Sequence, residues 1–449
     1  MSRLLAVLPL VFAVATLLPT AAAADVATGT IVVDDDNSQC PDAEISTIQK
    51  AVDKAVKKNS DRSAENDVNL VQVCPGLYVE QVSVREPLTI RGPLTFPRDA
   101  ETVQTLDCFA ATLTPDPNTQ AIVAAPPEGP TRIFNLEADN IELQGFVVRG
   151  QSGPADSAAV ITDSAHSGYQ VHDNLIMGNT VAAFFRSSGV LPSSFAYNCL
   201  RDNGWGLANH RLPLVEARIH HNSTFRTANF GFELVRGTER VVLDHNLSRD
   251  PTRGGPTNTM ASYLLWDTKL TTLFENGVAS HSAVRLFGGN ETLKIVDNQM
   301  EVSLGGVVQQ SGNLSTGLPP ESNTGALIQG NTIGGTGNSA GIGMGRRAVR
   351  NSEILDNVVT GLAGQGIALI DGNTNNVVRG NTVTNNGGNG IWAGAGATGN
   401  TFEANTMLGN GRIVTTGGVD ARDDNPLGSN LWSGNDCVTD IPDGLCPGQ

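Results

Sequence analysis

The chain has 449 residues, of which 39% are hydrophobic, 16% charged and 5% aromatic, with 50 glycines. That is too apolar and too weakly charged for a disordered chain, and too rich in glycine for a helical bundle. A formal net charge of −16 excludes nucleic acid as the general partner and disfavours docking on an anionic membrane.

Residues 1–24 read as a secretory signal. Arg3 opens it, Leu4 to Leu18 are mostly apolar, and Ala21 to Ala24 offer a small-residue cleavage site. No later run reaches the roughly 18 apolar residues that a span needs. A secreted, extracellular monomer with no membrane span is therefore expected. Six cysteines in an exported chain suggest three disulfides. Cys437 and Cys446 are close in sequence and favour each other. Cys40 and Cys74 flank the first helical and strand segments and can staple the N-terminus. Cys108 and Cys199 remain, as a pair or as free thiols.

After Asp34-Asp35-Asp36, residues Ile45, Ile48, Val52 and Ala55 recur at helical spacing. With Pro41 and Asp42 upstream as start signals, they predict a short helix capping one end of the core. The three aspartates offer oxygen ligands to a calcium ion, but no motif supports this. A solvated strand end is the simpler reading, and no cofactor is expected. Val71 and Val73, then Val82, Val84, Leu88 and Ile90, alternate as strands do.

From here a repeat takes over. Asn174, Asn198, Asn222 and Asn246 are each 24 residues apart, as are Asn357, Asn381 and Asn405. Asn276, Asn298 and Asn331 fill the gap irregularly, and Asn430 follows Asn405 by 25. Three residues before each stand Val171, Phe195, Ile219, Leu243, Leu273, Ile295, Ile328, Ile354, Val378, Phe402 and Leu427, all apolar. Two residues after, nine of eleven are apolar, with Thr224 and Ser248 the exceptions. Phe184, Ala208 and Phe232 mark a further apolar position ten residues after. Leu143, Phe146 and Val148 fit the same register, with Phe146 at the asparagine place.

A unit of about 24 residues cannot bury its own face, so neighbours must stack. Coils of two or three short strands would lie about 4.8 Å apart. The asparagines then form an internal amide ladder, since buried amides need partners. Segments 59–67, 249–262 and 311–325 read as loops.

Several stretches resemble the right-handed parallel β-helix superfamily of pectate lyases, pectinesterases and polygalacturonases. They include Ile31-Val32-Val33-Asp34-Asp35-Asp36, Val71-Gln72-Val73-Cys74-Pro75-Gly76, Leu88-Thr89-Ile90-Arg91-Gly92 and Val378-Arg379-Gly380-Asn381-Thr382-Val383. The likeness is to the generic repeat protein of the secreted bacterial type. It implies an all-β, single-stranded right-handed parallel β-helix with an N-terminal capping helix. One domain would occupy 25–449: cap and first strands in 25–100, coils in 101–435, a disulfide-closed end in 436–449. The catalytic signatures do not follow. Gly-His-Gly is absent, and so is the Asp-Pro-His-Asp of mannuronan epimerases.

One stretch stands out chemically. Residues 180–255 hold nine arginines, no lysine and six carboxylates, with four of the seven histidines. By the repeat register, His172, Asp173, Arg201, His220, His221, Arg226, Asp244, His245 and Arg249 face outward. Arg201, Arg226 and Arg249 would form a column beside His172 and His221, suited to acidic sugars. His220, His245, Asp244 and Asp173 are the candidates for proton transfer. The expected function is binding of an extracellular, anionic polysaccharide or a surface partner along the coil face. The alternative is a lyase or hydrolase acting on such a polymer. The plain alternative to both is a solvated face. Gly337-Asn338-Ser339-Ala340-Gly341 matches a hydrolase elbow, but lacks the strand–turn–helix pattern that motif needs. Sequons at Asn222, Asn246, Asn290 and Asn313 are read as chance matches, since Asn222 and Asn246 are ladder positions.

Overall fold

The computed structural model describes residues 29–60, 67–96, 108–109, 113–127, 132–154, 156–249, 261–309, 323–345, 349–370, 372–413 and 417–446. The signal at 1–24, most of the three loops and the sequon at Asn313 lie outside these residues.

Strand pairings among the described residues are parallel. A 15-stranded sheet runs from Gly29–Val33 to Leu431–Ser433, and a 26-stranded sheet carries the other two strands of each coil. One coil, for example, is Ser193–Ala196, Cys199–Arg201 and Trp205–Ala208. Gly277–Phe287 and Gln299–Gln309 run through the bend between the last two, joining their columns. The chain is thus a parallel β-helix with three strands per coil.

The repeat columns fall in register. Val171, Phe195, Ile219, Leu243, Leu273 and Ile295 pair in turn, and the series continues to Phe402. All are buried in one continuous core. The two polar exceptions on the other flank sit side by side inside that core. Thr224 Oγ1 donates to Ser248 Oγ at 2.7 Å, so neither hydroxyl is orphaned. The apolar position ten after the asparagine is not one column. Phe184 and Ala208 pair on the outside, in a small cluster with Trp205, while Ala183, Leu207 and Phe232 face in. The next coil carries one more residue in its turn, and a one-residue slip exchanges faces.

The ladder is continuous. Each asparagine from Asn174 to Asn405 donates from Nδ2 to Oδ1 of the next, at 2.9–3.1 Å. Each Oδ1 also takes the backbone N–H of the preceding ladder residue, beginning with Phe146 on Asn174. The last member is Asn435, not Asn430. Asn430 ends a second ladder through Asn376 and Asn400. Trp432, not Leu427, therefore pairs with Phe402 and stacks on it at 4.1 Å. Asn222, Asn246 and also Asn290 are buried in such ladders, which fits the reading of their sequons as chance.

The residue before every ladder asparagine is left-handed, from Asp173 (φ 56°) through Tyr197, His221, His245, Glu275 and Asp297 to Gly434. Gly330 and Gly380 serve this place at no steric cost. This turn bends the chain from the first sheet into the second.

The helix spans Ile48–Ser60 and buries Ile48, Ala51, Val52 and Ala55. It does not begin near Pro41 and Asp42, and Ile45 instead bridges Val33. Its start is set from outside. The Glu80 carboxylate accepts the N–H groups of Ile48 and Gln49 at 2.8 and 2.9 Å, satisfying two orphan donors. Disulfides join Cys40 to Cys74, Cys108 to Cys199 and Cys437 to Cys446.

Replacing Asn381 by Leu removes its bonds to Ile354 O, Arg379 O and Asn405 Oδ1, and strands the amide of Asn357. At about 1–3 kcal/mol for each buried group left unpaired, unfolding free energy in urea should drop by at least that much. An unchanged midpoint would contradict the ladder.

Candidate functional site

The left-handed turn projects its residue outward along one edge of the stack. The strand residue before it also faces out. These two places collect His172 with Asp173, Tyr197, His220 with His221, Asp244 with His245, and Glu275. Tyr197, His221 and His245 share the same backbone twist, so their rings stack one coil apart. Centroids are 4.9 Å apart at both steps, with planes 14° and 8° from parallel. That spacing is the strand separation itself.

The histidines differ in their bonds. His172 sits between Glu142 (2.9 Å at Nε2) and Asp173 (2.8 Å at Nδ1). Burial pulls its pKa down, but the two carboxylates outweigh this and raise it. His245 is held the same way, by Asp244 at 2.9 Å and Glu275 at 2.7 Å. Asp244 is 2% exposed and also accepts Arg218 Nε at 2.8 Å and Nη2 at 2.6 Å. Burial works to raise its pKa, yet these cationic partners hold it below the usual range.

His220 is different. Its Nδ1 lies 2.9 Å from His221 Nδ1, and its Nε2 3.2 Å from Ser194 Oγ. Burial first, then Arg218, push its pKa down to about 4. The Ser194–His220 spacing is that of a nucleophile and its base. A base this weak, however, takes a hydroxyl proton poorly at neutral pH. Burial and His245 lower His221 as well.

The arginines do not form the expected column. Arg201 and Arg249 lie on the second sheet with Phe225 between them, and Arg226 occupies a second left-handed turn (φ 52°). Arg201 is 1% exposed and does not face solvent. The Cys108–Cys199 disulfide seats Cys108 and Phe109 on the outer face of this sheet, with Phe109 edge-on to Phe225. Arg201 Nη1 donates to Cys108 O at 3.2 Å and its Nε to Asp202 at 2.9 Å. Arg226 reaches the same Asp202 at 2.6 Å. Arg249 stays exposed, 4.9 Å over the Phe109 ring. Asp173 and Asp244 point away from the core but are covered rather than exposed, Asp173 with Phe96 N 3.4 Å from its carboxylate.

Glu142, Ser194, Arg218 and Glu275 complete this edge and were not singled out by sequence. Glu275 was findable, because it directly precedes Asn276. The others sit four residues before the ladder place, where the repeat carries no fixed residue type.

Asp34, Asp35 and Asp36 place carboxylate oxygens within 4.8 Å of one another. Asp34 is fully buried rather than a solvated strand end. Asp34 accepts the amides of Gln39 and Cys40, Asp35 that of Leu77 and Asp36 that of Ser38. Their first duty is to tie the N-terminal turn. The Gly337–Gly341 motif lies in a turn between Thr332–Gly335 and Ile342–Met344, successive strands of one coil, with no helix after it among the described residues.

A family model described as a right handed beta helix region matches residues 311–407. Among solved structures, the A-module of an Azotobacter vinelandii mannuronan C-5 epimerase aligns at 14% identity and TM-score 0.50, covering 87% of this chain and 94% of that one. The catalytic domain of a GH87 α-1,3-glucanase in complex with tetrasaccharides aligns at 13% identity and TM-score 0.51, covering 94% and 67%. The Dettilon tailspike protein aligns at 13% and 0.51, covering 87% and 67%. The shared feature is the fold, a right-handed parallel β-helix. No curated protein matches the chain significantly.

The depressed pKa of His220 has a sign that can be measured. The folded state resists protonating it, so its effect is nil above the ordinary 6.5 and costs stability as pH falls from there to about 4. The variant His220→Gln should therefore gain on the wild type in urea midpoint as pH is lowered through that window. A gap that stays constant with pH would show His220 titrating normally.

Proposed function

We propose that the protein is an exported binder of acidic polysaccharide, using the edge from His172 to Arg249. The observation that carries this is the state of the histidines. His172 and His245 have both ring nitrogens engaged by carboxylates, and His220 is a weak base. The lyase or hydrolase alternative needs a base free to act, and His220, the histidine that faces a hydroxyl, is a weak one. A surface that recognises a chain needs only fixed donors at regular spacing. Arg201 and Arg226 share the single carboxylate of Asp202, and Arg249 adds a third cation beside them. This leaves a local excess of positive charge on a molecule that is acidic as a whole. Guanidinium forks match carboxylated or sulfated sugars.

Two likenesses of fold support the polymer class, since those structures are described as a mannuronan epimerase and an α-1,3-glucanase. Three disulfides support an oxidising compartment. No helix among the described residues is long and apolar enough to cross a membrane.

The test is retention on gels of immobilised polyuronate and sulfated glycan, with product release followed in parallel. Charge reversal of Arg226 and Arg249 together to Glu should abolish retention while the protein still folds; Arg249 is exposed, and loss of the half-buried Arg226–Asp202 pair should lower the melting temperature only modestly. Arg201 is spared because it is buried. Release of unsaturated or reducing ends that His220→Gln removes would overturn the binding reading in favour of an enzyme.

A further inference from the structure

At the end of the first strand, Gly29–Val33, the chain turns through Asp34, Asp35 and Asp36. Backbone amides take one oxygen of each carboxylate: Asp34 Oδ2, Asp35 Oδ2 and Asp36 Oδ1. These bonds leave oxygens over. Asp34 is 0% exposed, and no backbone amide reaches its Oδ1. Asp35 Oδ1 is buried without a hydrogen-bond partner. It leans on Gly76, where a Cβ would stand 2.3 Å from it. No arginine, lysine or histidine pairs with the three carboxylates among the described residues, and Lys54 of the helix turns to Glu44 instead.

Two neutral oxygens complete the cluster. The Cys40–Cys74 disulfide holds Gln39, the residue before one cysteine, beside Pro75, the residue after the other. The Gln39 side-chain oxygen lies 3.2 Å from Pro75 O, 3.2 Å from Asp34 Oδ1 and 3.3 Å from Asp36 Oδ1. It faces acceptors only. The three carboxylates each place an oxygen within 4.8 Å of the others. Alone, such an arrangement is repulsive: like charges and lone pairs oppose one another, and the buried carboxylate has lost its water. Oxygens around one calcium ion, each at roughly 2.4 Å from it, stand about 3 Å apart as neighbours and at most about 4.8 Å across. Those are the spacings of this cluster.

We infer that Asp34, Asp35, Asp36, the Gln39 side chain and Pro75 O form a calcium site that locks the N-terminal turn onto the first coils. Carboxylates mixed with carbonyl oxygens are the hard set that calcium takes, and exposed Asp36 leaves room for water in the remaining positions. The site lies on the first turn of the chain, away from the histidine edge, and does not depend on the polysaccharide reading. Turning the Gln39 amide over gives the competing arrangement, in which Nε2 donates to the same three oxygens and no ion is needed. That arrangement still leaves Asp35 Oδ1 without a partner.

The experiment titrates calcium chloride into chelator-treated protein by calorimetry and measures melting with and without calcium. Wild type should bind one equivalent, in the roughly 10⁻⁴–10⁻³ M range of extracellular calcium modules or tighter, and melt several degrees higher when loaded. Asp36→Asn keeps an acceptor for Ser38 N and removes one charge, so it should fold and lose about tenfold in calcium affinity. Gln39→Glu separates the two arrangements. Around an ion it supplies a further carboxylate, so calcium affinity should hold or rise and calcium should restore the melting temperature. If the Gln39 amide instead donates to the three oxygens, the variant loses that donor and adds repulsion, and calcium would not restore it. That result would overturn the site. So would the absence of both calcium heat and a melting shift in wild type at millimolar calcium. Undiminished affinity in Asp36→Asn would put the ion elsewhere and overturn it too.

Discussion

A buried asparagine amide brings two N–H donors and an oxygen with two lone pairs, all of which need partners. In this chain they find one another. Each Asn Nδ2 bonds the Oδ1 above it, and each Oδ1 also takes a backbone N–H. Sliding one coil by a residue would break this arrangement at both faces and bury several orphaned groups. The register of the neighbouring strands follows from that constraint, and the continuous apolar core follows from the register. The left-handed residue before each asparagine is part of the same device, because it turns the amide inward while the chain changes sheets.

The same turn also builds the candidate edge. A residue forced into one conformation at every coil throws its side chain in one direction at every coil. Where those residues are Tyr197, His221 and His245, the outcome is a stack of rings. Where they are Asp173 and Glu275, the outcome is a carboxylate beside a neighbouring histidine. The edge is thus a close network in which Asp244 holds Arg218 and His245 at once. Such a network fixes geometry more than it supplies reactive groups.

The amide column was legible in sequence because buried asparagines with fixed apolar flanks cannot arise from solvent-facing loops. The last member was misplaced because Asn430 and Asn435 both belong to ladders, and only the Phe402–Trp432 pairing separates them. Arg201 was misjudged for a different reason. Its repeat position does point away from the core, but a segment more than 90 residues earlier is tethered over it through Cys199. Periodicity reports the inner face and is silent about what lies on the outer one.

Successive ladder asparagines are separated by 24 residues in the regular coils, but by 30, 22, 33 and 26 residues between Asn246 and Asn357. The corner itself never changes length. The strand residues on either side of it pair without a shift through all these coils. Every surplus residue is expelled into the other connections. One corner therefore behaves as a spine and the opposite side as a margin on which whole loops can be written or erased. A lineage of such proteins can exchange its outer loops freely while any deletion at the spine would unseat every coil beyond it.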